Sequence, residues 1–366
     1  MHLQKLTLLN FKNYVEVIVD FNPRVNLLVG KNGSGKTNLL DSIYYLSFTK
    51  SAFSPDMQCI RTGENFLMIK GVFKTNNEQS ELVASLQPGY KKVFRRNQQD
   101  YERLSDHIGK YPAVLIAPDD TELITEGSEL RRKFFDGIIA QIDSRYLEDL
   151  MQYNQVLRQR NALLKMMYEA GRPDIVALEA YDVLLVKYGD YIHQKRKEFV
   201  AEFVPIFMSF FTMIVDEPEE PQIRYASALL TTDFLQGLHE ARQKDIVLQR
   251  SNFGIHRDDF EFELKGGDVK RRGSQGQQKS FVIALKLAQY EVIEKHNGYK
   301  PVLLLDDILD KLDDVRIDAL MTLIKNRLGQ IFITDARPHR TSEILDNIGI
   351  QASRFQVENG QITKAN

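Results

Sequence analysis

The stretch that most constrains what this chain can fold into is Gly30-Lys31-Asn32-Gly33-Ser34-Gly35-Lys36-Thr37, which joins the apolar run Val25 to Val29 to a periodic segment carrying Leu39, Leu40, Ile43 and Tyr44. The pattern predicts a strand, a tight loop and a helix. Glycines at this spacing let the backbone curl with its N–H groups turned inward and leave no Cβ to block a close anion. The first N–H groups of the following helix carry about half a unit of positive charge, so an anion is stabilised there before any side chain acts. Residues 30–37 are therefore expected to cradle phosphate. Lys36 is placed to span the β- and γ-phosphates of a nucleotide, and the Thr37 hydroxyl to fill one position in the octahedral oxygen shell of Mg2+.

Residues 3–20 alternate apolar and polar, through Leu3, Leu6, Leu8, Val15, Val17 and Val19, with a hairpin turn expected at Asn10 to Asn13. After the first helix, Phe66 to Phe73, Leu82 to Leu86 and Val93 to Phe94 read as short strands of an antiparallel meander, with turns at Asn76-Asn77 and Pro88-Gly89. Val114 to Ala117 is a buried strand leading through Pro118-Asp119-Asp120 into a capped helix. From Ser128 to about Phe211 the pattern is helical. Leu147, Leu150, Leu157 and Leu164 form one series, Gly171-Arg172-Pro173 breaks it, and Leu178, Tyr181, Leu185, Tyr188, Ile192 and Phe199 form a second. This predicts a helical hairpin with solvated, charge-dense outer faces. The apolar run Phe203 to Val215 is too short to span a bilayer and reads as packed core. Glu217-Pro218-Glu219-Glu220-Pro221 marks a return to mixed strand and helix.

Two later stretches carry chemistry. Arg271-Arg272-Gly273-Ser274-Gln275-Gly276-Gln277-Gln278-Lys279 opens an apolar helix reaching about Tyr290, with Ser274 at the N-cap position, and so makes either an ordinary helix start or a second anion site. Pro301 to Asp307 reads as a buried strand ending in two carboxylates, Asp306 and Asp307. In a nucleotide site the first can hold Mg2+ through water and the second can orient or deprotonate an attacking water. A final apolar strand, Gln330 to Thr334, runs into Asp335.

With 43% hydrophobic residues among 366, the chain has ample material for a sizeable globular core. Its 48 basic and 50 acidic side chains give a formal charge of −2, so any nucleic-acid binding must come from local clusters. Candidates are Lys91-Lys92-Val93-Phe94-Arg95-Arg96, Arg131-Arg132-Lys133, Lys195-Arg196-Lys197 and Lys270-Arg271-Arg272, although a cluster of this kind, taken singly, is more often a solvated face than a DNA contact. The single cysteine, Cys59, excludes an intrachain disulfide and a cysteine metal cluster and fits a reducing compartment. The first residues lack the apolar core of a signal peptide, so a cytoplasmic location is expected.

In this order, the phosphate loop, the helical insertion, the Ser274 helix start and the Asp306-Asp307 strand resemble the layout of ABC-type ATPase heads. Asn10-Phe11-Lys12-Asn13-Tyr14, Gly35-Lys36-Thr37-Asn38-Leu39-Leu40, the segment Tyr153 to Lys165 with its Leu157-Arg158-Gln159-Arg160-Asn161, His256-Arg257-Asp258-Asp259 and Ser274-Gln275-Gly276-Gln277-Gln278 narrow the match. Nearly end to end, the chain resembles the RecF family of bacterial DNA repair and replication proteins. The resemblance implies an α/β fold: an ABC-type ATPase head, a mixed β-sheet with a P-loop core and an antiparallel β subdomain, carrying an inserted helical-hairpin lobe. The implied division is residues 1–125 for the N-terminal half of the head, 126–215 for the helical lobe and 216–366 for the C-terminal half. It makes Gly30, Lys31, Asn32, Gly33, Ser34, Gly35, Lys36 and Thr37 the Walker A loop, and Ser274, Gly276 and Gln277 signature contacts to ATP. Asp306 and Asp307 become the Walker B pair, Leu312-Asp313 the D-loop, and Gln58 the Q-loop contact to Mg2+ beside Thr37 and Asp306. Catalysis would rest on Asp307, Lys36 and Asp306.

By the same resemblance the cofactors are ATP and Mg2+, and the partners are double-stranded and gapped DNA, RecR, RecO and a second copy of the chain joined by ATP. The implied function is an ATP-gated DNA-binding switch that helps load recombinase and resets by weak, DNA-stimulated hydrolysis. Asp307 stands where most ABC ATPases have Glu, which implies slow hydrolysis; Lys279 replaces an Arg and loses its planar fork. Thr334-Asp335 lacks the usual ABC histidine, and His339 lies too far on to replace it. Three other readings follow from the same residues. A P-loop kinase would stay monomeric and leave the Ser274 helix and the Asp-Asp strand without a role; a transporter subunit would not respond to DNA; a scaffold would bind ATP without cleaving it.

Overall fold

The computed structural model describes residues 1–75, 78–215, 219–309 and 313–365, without the side chains of 314, 315 and 338–340. In chain order the elements are β1 (His2–Phe11), β2 (Tyr14–Asp20), β3 (Val25–Val29), α1 (Lys36–Phe48), β4 (Leu67–Thr75), β5 (Glu78–Leu86), β6 (Val93–Arg96), β7 (Gln99–Asp100) and β8 (Ala113–Ile116). Then come α2 (Glu122–Thr125), α3 (Ser128–Ile142), α4 (Ser144–Ala170), α5 (Ile175–Ile214), β9 (Pro221–Ala226), α6 (Phe234–Leu248), β10 (Asp259–Leu264), β11 (Gly267–Asp268) and α7 (Val269–Arg272). The chain closes with α8 (Gln275–Asn297), β12 (Val302–Leu305), α9 (Asp314–Asn326), β13 (Ile331–Asp335), α10 (Pro338–Asn347), β14 (Ala352–Glu358) and β15 (Gln361–Ala365).

These elements cluster into two compact units, one of Met1–Thr121, Ser209–Pro218 and Gln275–Asn366, the other of Glu122–Met208 and Glu219–Ser274.

The first unit is built on a sheet of order β15-β14-β3-β13-β12-β8, parallel except for β15. Its inner strands β3, β12 and β13 are buried at every residue, which is why they read as continuous apolar runs rather than alternating ones. The second sheet, β2-β1-β4-β5-β6-β7, is antiparallel and does alternate. The hairpin expected at Asn10 to Asn13 joins β1 to β2, with Phe11 opposite Tyr14. Of the two meander turns, Pro88-Gly89 turns with Gly89 at φ 80° and the Tyr90 N–H donating to Gln87 O at 3.1 Å, whereas Asn76-Asn77 lies outside the described residues. One apolar core fills both sheets' inner faces around α1, where Leu39, Leu40, Ile43 and Leu46 meet Leu6, Leu8, Leu28 and Phe332.

The second unit combines α3 to α6 with the small sheet β11-β10-β9. The expected helical hairpin is α4 and α5, closed by Gly171 in the left-handed region at φ 61°. On α5 the seam is the expected one, with Leu178, Leu185, Ile192 and Phe199 buried, whereas on α4 it differs from the leucine series. Tyr146, Tyr153, Arg160 and Met167 recur every seven residues with Val156 and Leu164 beside them, while Leu147, Leu150 and Leu157 are half-buried.

The charges are not all on solvated faces either. Fully buried Arg160 donates through Nε to Asp182 and through Nη1 to Asp245 and Ser251 Oγ, each at 2.8 Å. Arg196 forks onto Asp136 at 2.9 and 2.8 Å and reaches Asp258 at 2.9 Å. Burying a charge is tolerated only where it is paired in this way, so these arginines specify how α4, α5, α6 and the 251–258 segment meet. Apolar packing completes the unit, with Phe135 stacked on Phe260 at 4.1 Å between ring centroids.

The run Phe203 to Val215 is packed core as expected: Phe203, Phe207, Phe210, Phe211 and Ile214 are buried. No described helix is long and apolar enough to cross a membrane.

Candidate nucleotide site

The site lies at the carboxyl ends of the parallel strands, where open α/β sheets bind ligands. β13 pairs with both β3 and β12, placing Asp335 beside Val29 and Ile333 beside Leu305. The loop leaving β3 and the acidic pair leaving β12 are thereby brought to the two sides of Thr334.

Residues 30–37 form the curled loop the glycine spacing predicts. Gly33 and Gly35 have φ of 79° and 118°, in the region that side chains rarely adopt. A Cβ on Gly30 would stand 2.2 Å from Val357 O, so only glycine fits beneath β14. The loop is braced from behind: Asn13 Nδ2 donates to Ser34 O at 3.0 Å and Tyr14 Oη to Gly35 O at 2.9 Å, while Asn38 Nδ2 donates to Asn13 Oδ1 at 2.7 Å. These bonds fix the Ser34 and Gly35 carbonyls, while within the loop the Ser34 N–H donates to Lys31 O at 3.1 Å. Lys36 Nζ folds back onto Gly30 O at 2.9 Å and Lys31 O at 3.3 Å, and pairs with no carboxylate among the described residues. Ser34 Oγ is buried without a hydrogen-bond partner. A cation satisfied only by neutral carbonyls and an orphaned buried hydroxyl in one loop fit an anionic ligand.

The oxygen donors expected for a divalent cation stand together. Thr37 Oγ1 lies 3.0 and 2.9 Å from the two carboxylate oxygens of Asp306, which also accepts from Thr334 Oγ1 at 2.8 Å. Asp306 is buried, which raises its carboxyl pKa; the Thr334 and Thr37 hydroxyls oppose the rise, the neighbouring Asp307 adds to it and Lys36 opposes it. One hydroxyl and one carboxylate suit Mg2+, which keeps most of its shell for water and phosphate oxygens. β12 stops at Leu305, so the two carboxylates lie just beyond the strand rather than within it, and Asp307 turns left-handed at φ 45°.

The other expected residues stand on other elements. Gln58 is exposed on the short helix Asp56–Cys59, its backbone N–H bonded to Pro55 O at 2.9 Å. Gly276 lies in the first turn of α8 under the Arg316 guanidinium, 3.4 Å from where its Cβ would be, and Arg316 Nε donates to Ser280 Oγ at 2.6 Å. Gln277 is in the same turn, and Ser274 directly precedes it as the last residue of the second unit. Leu312 lies outside the described residues; Asp313 caps α9 by accepting from the Arg316 N–H at 3.0 Å. The structure adds a role to residues that the sequence singled out only by motif: Asn13 and Tyr14 brace the loop, and Thr334 stands between the two carboxylates.

The basic clusters sort by what they touch. Arg196 is interior, Arg131 forks onto Asp259 at 2.8 Å, and Arg132 donates to Asp258 O at 2.6 Å. Lys92 bonds to Thr49 O at 2.6 Å and to Asp56 at 2.5 Å, and Arg95 to Asp100 at 2.5 Å. Lys91, Arg95, Lys270 and Arg271 remain exposed.

Comparison with known proteins fixes the family. The family described as RecF/RecN/SMC N terminal domain matches residues 2–359. The DNA replication and repair protein RecF of Flavobacterium johnsoniae is 47% identical over 347 residues, covering 94% of this chain and 97% of that protein. The chain belongs to the RecF family. The RecF of Cytophaga hutchinsonii is 43% identical, covering 100% of this chain and 97% of its own. Among solved structures, the recombination mediator protein RecF of the RecFOR pathway, described with ATP, superposes with a TM-score of 0.90 at 28% identity, over 100% of this chain and 98% of that one. An Smc head bound to the C-winged helix domain of ScpA superposes at 0.58 with 15% identity, over 100% and 98% of the two chains, and shares the fold. The RecF-family chain therefore has the expected fold, an α/β ABC-type ATPase head with an inserted helical-hairpin lobe.

Proposed function

We propose that this RecF-family protein is an ATP-dependent DNA-binding switch of recombinational repair and replication-fork maintenance, acting in the cytoplasm. ATP bound at residues 30–37 joins two copies, the dimer holds duplex or gapped DNA and helps load recombinase with RecO and RecR, and slow hydrolysis releases it. The observation that carries this reading is the convergence of the Lys36 loop, the Thr37 hydroxyl and the Asp306 carboxylate at the carboxyl ends of the parallel strands. Membership in a family whose solved relatives include one described with ATP supports it.

In this reading the loop N–H groups and Lys36 hold the β- and γ-phosphates, and Thr37 and Asp306 hold Mg2+, with Gln58 a further candidate ligand. Bound Mg2+ would supply charge neutralisation on the phosphate oxygens. Asp307 accepts a proton from the attacking water as its oxygen bonds to the γ-phosphorus and the bond to the bridging oxygen of ADP breaks. Ser274, Gly276 and Gln277 complete the partner's site across the dimer. The functional division is then the Walker A half at 1–125, the lobe at 126–215 and the signature half at 216–366. With a net charge of −2 a single copy attracts DNA only through local clusters, and joining two copies doubles those facing one duplex.

The test is Lys36→Met, assayed for binding of a fluorescent ATP analogue and for thermal unfolding. Lys36 is buried, and the variant gives up two bonds to neutral carbonyls but no ion pair, so it is expected to stay folded with a melting temperature lowered by no more than a few degrees and to lose stable nucleotide binding. Parental affinity would remove the site assignment.

A further inference from the structure

Thr334 has no place in the function so far, yet it stands at the centre of the acidic pair. It is the penultimate residue of β13, 1% exposed, and its Oγ1 lies within hydrogen-bond distance of both carboxylates. The hydroxyl has one proton, directed at Asp306 Oδ1 at 2.8 Å; Leu305 O, at 3.5 Å, is a poorer acceptor. Its lone pair accepts the backbone N–H of Asp307, also at 2.8 Å, and Asp307 Oδ1 is 3.3 Å away.

That arrangement is not what a strand end produces by default. In an extended chain successive side chains leave on opposite faces, so Asp306 and Asp307 would point apart. Both can approach one oxygen because Asp307 departs from extended geometry at φ 45°. A non-glycine residue in that region is strained and persists where the surroundings hold it. The described bond that holds the Asp307 backbone N–H is the one to Thr334 Oγ1. A β-branched residue suits the task, since its χ1 is stiff and its neighbours on β13 are buried throughout.

We infer that Thr334 is a positioning residue: its hydroxyl sets the orientation of Asp307 relative to Asp306, and so places the proton acceptor against the phosphate held by the Lys36 loop. The inference rests on the reading of the site given above, and extends it to a residue on a separate strand that touches neither nucleotide nor metal in that reading. Thr334 donates to the first carboxylate and accepts from the backbone of the second. Losing the hydroxyl therefore frees the Asp307 backbone while Thr37 still holds Asp306.

The test compares the parent, Thr334→Val and Thr334→Ser for turnover of ATP and for affinity for the fluorescent ATP analogue. Valine keeps the shape and removes the hydroxyl. Thr334→Val is expected to lose at least about tenfold in kcat, since displacing a catalytic group by about 1 Å costs up to a hundredfold, with nucleotide Kd within a few-fold of the parent. Thr334→Ser is expected to recover most of the rate, which a loss through packing alone would not give, because serine lacks the methyl as well. Should Thr334→Val melt well below the parent, Thr334→Ala is read by the same split between kcat and Kd. A variant without the hydroxyl that turns over ATP at the parental rate overturns the inference and leaves the site standing. A parent that binds ATP without turning it over overturns the role of Asp307 and the inference with it.

Discussion

Arg160 offers the sharpest test of how the helical lobe is held. Its side chain is completely buried, with three donor contacts of 2.8 Å to Asp182, Asp245 and Ser251. Arg160→Met keeps much of the volume and leaves two buried carboxylates without their common partner. Removing one member of such a pair costs about 3–5 kcal/mol, because the remaining charge is uncompensated. Here part of the loss is absorbed. Asp182 keeps Arg242 Nη2 at 3.4 Å, and Asp245 keeps the Asn252 backbone N–H and Nδ2, both at 2.9 Å. The expected destabilisation is therefore near the lower end, about 3 kcal/mol. Urea unfolding followed by circular dichroism measures it, with Lys133→Ala as control at the exposed pair with Glu129, where a change under about 0.5 kcal/mol is expected. The triple variant Arg160→Met, Asp182→Leu, Asp245→Leu should regain most of the loss. An Arg160→Met variant within about 1 kcal/mol of the parent at neutral pH would show that the network carries no uncompensated charge, and would refute the reasoning.

Two further outcomes are expected. Asp307→Asn should lower ATP turnover by about 10²–10⁴ while ATP and Mg2+ binding persist, whereas Asp306→Asn should raise the Mg2+ concentration needed for binding; equal effects of the two in a Mg2+ titration would merge their roles. His107 and His256 are both held neutral by burial, with pKa values lowered to about 4. The unfolded chain takes up these protons near pH 6.5, so the stability they contribute is complete above 6.5 and is lost as pH falls toward 4, on the order of 3 kcal/mol for each histidine. Urea midpoints between pH 7.5 and 4.5 should fall accordingly, with a shallower fall in His107→Phe; a flat profile would contradict the burial argument.

The legible parts of the fold were those written in local pattern. Val25 to Thr37 encodes strand, loop and helix in one stretch, and β1, β2 and the meander alternate because one face of their sheet is solvated. The hairpin was legible too, as was the α5 side of its seam through Leu178, Leu185, Ile192 and Phe199, but the α4 side was not. Arg160 occupies an interior position that a hydrophobic pattern scores as exposed, and it is tolerated only because Asp245 and Ser251, far along the chain, come to meet it. Thr334 escaped for a similar reason. Its role depends on the parallel register that sets β13 beside β12 and on the left-handed turn at Asp307, neither of which leaves a trace in residue spacing. Charge clusters misled most, since Arg196 and Arg131 look like a nucleic-acid surface in sequence and are ion-paired in the structure.

The central claim is that ATP joins two copies into a form that holds DNA. Sedimentation velocity with ATP, with ADP and without nucleotide, each with and without a duplex, tests it directly. The account predicts a dimer with ATP, stabilised further by duplex, and a monomer with ADP or no nucleotide. A monomer under all six conditions, or a dimer indifferent to nucleotide, would contradict it.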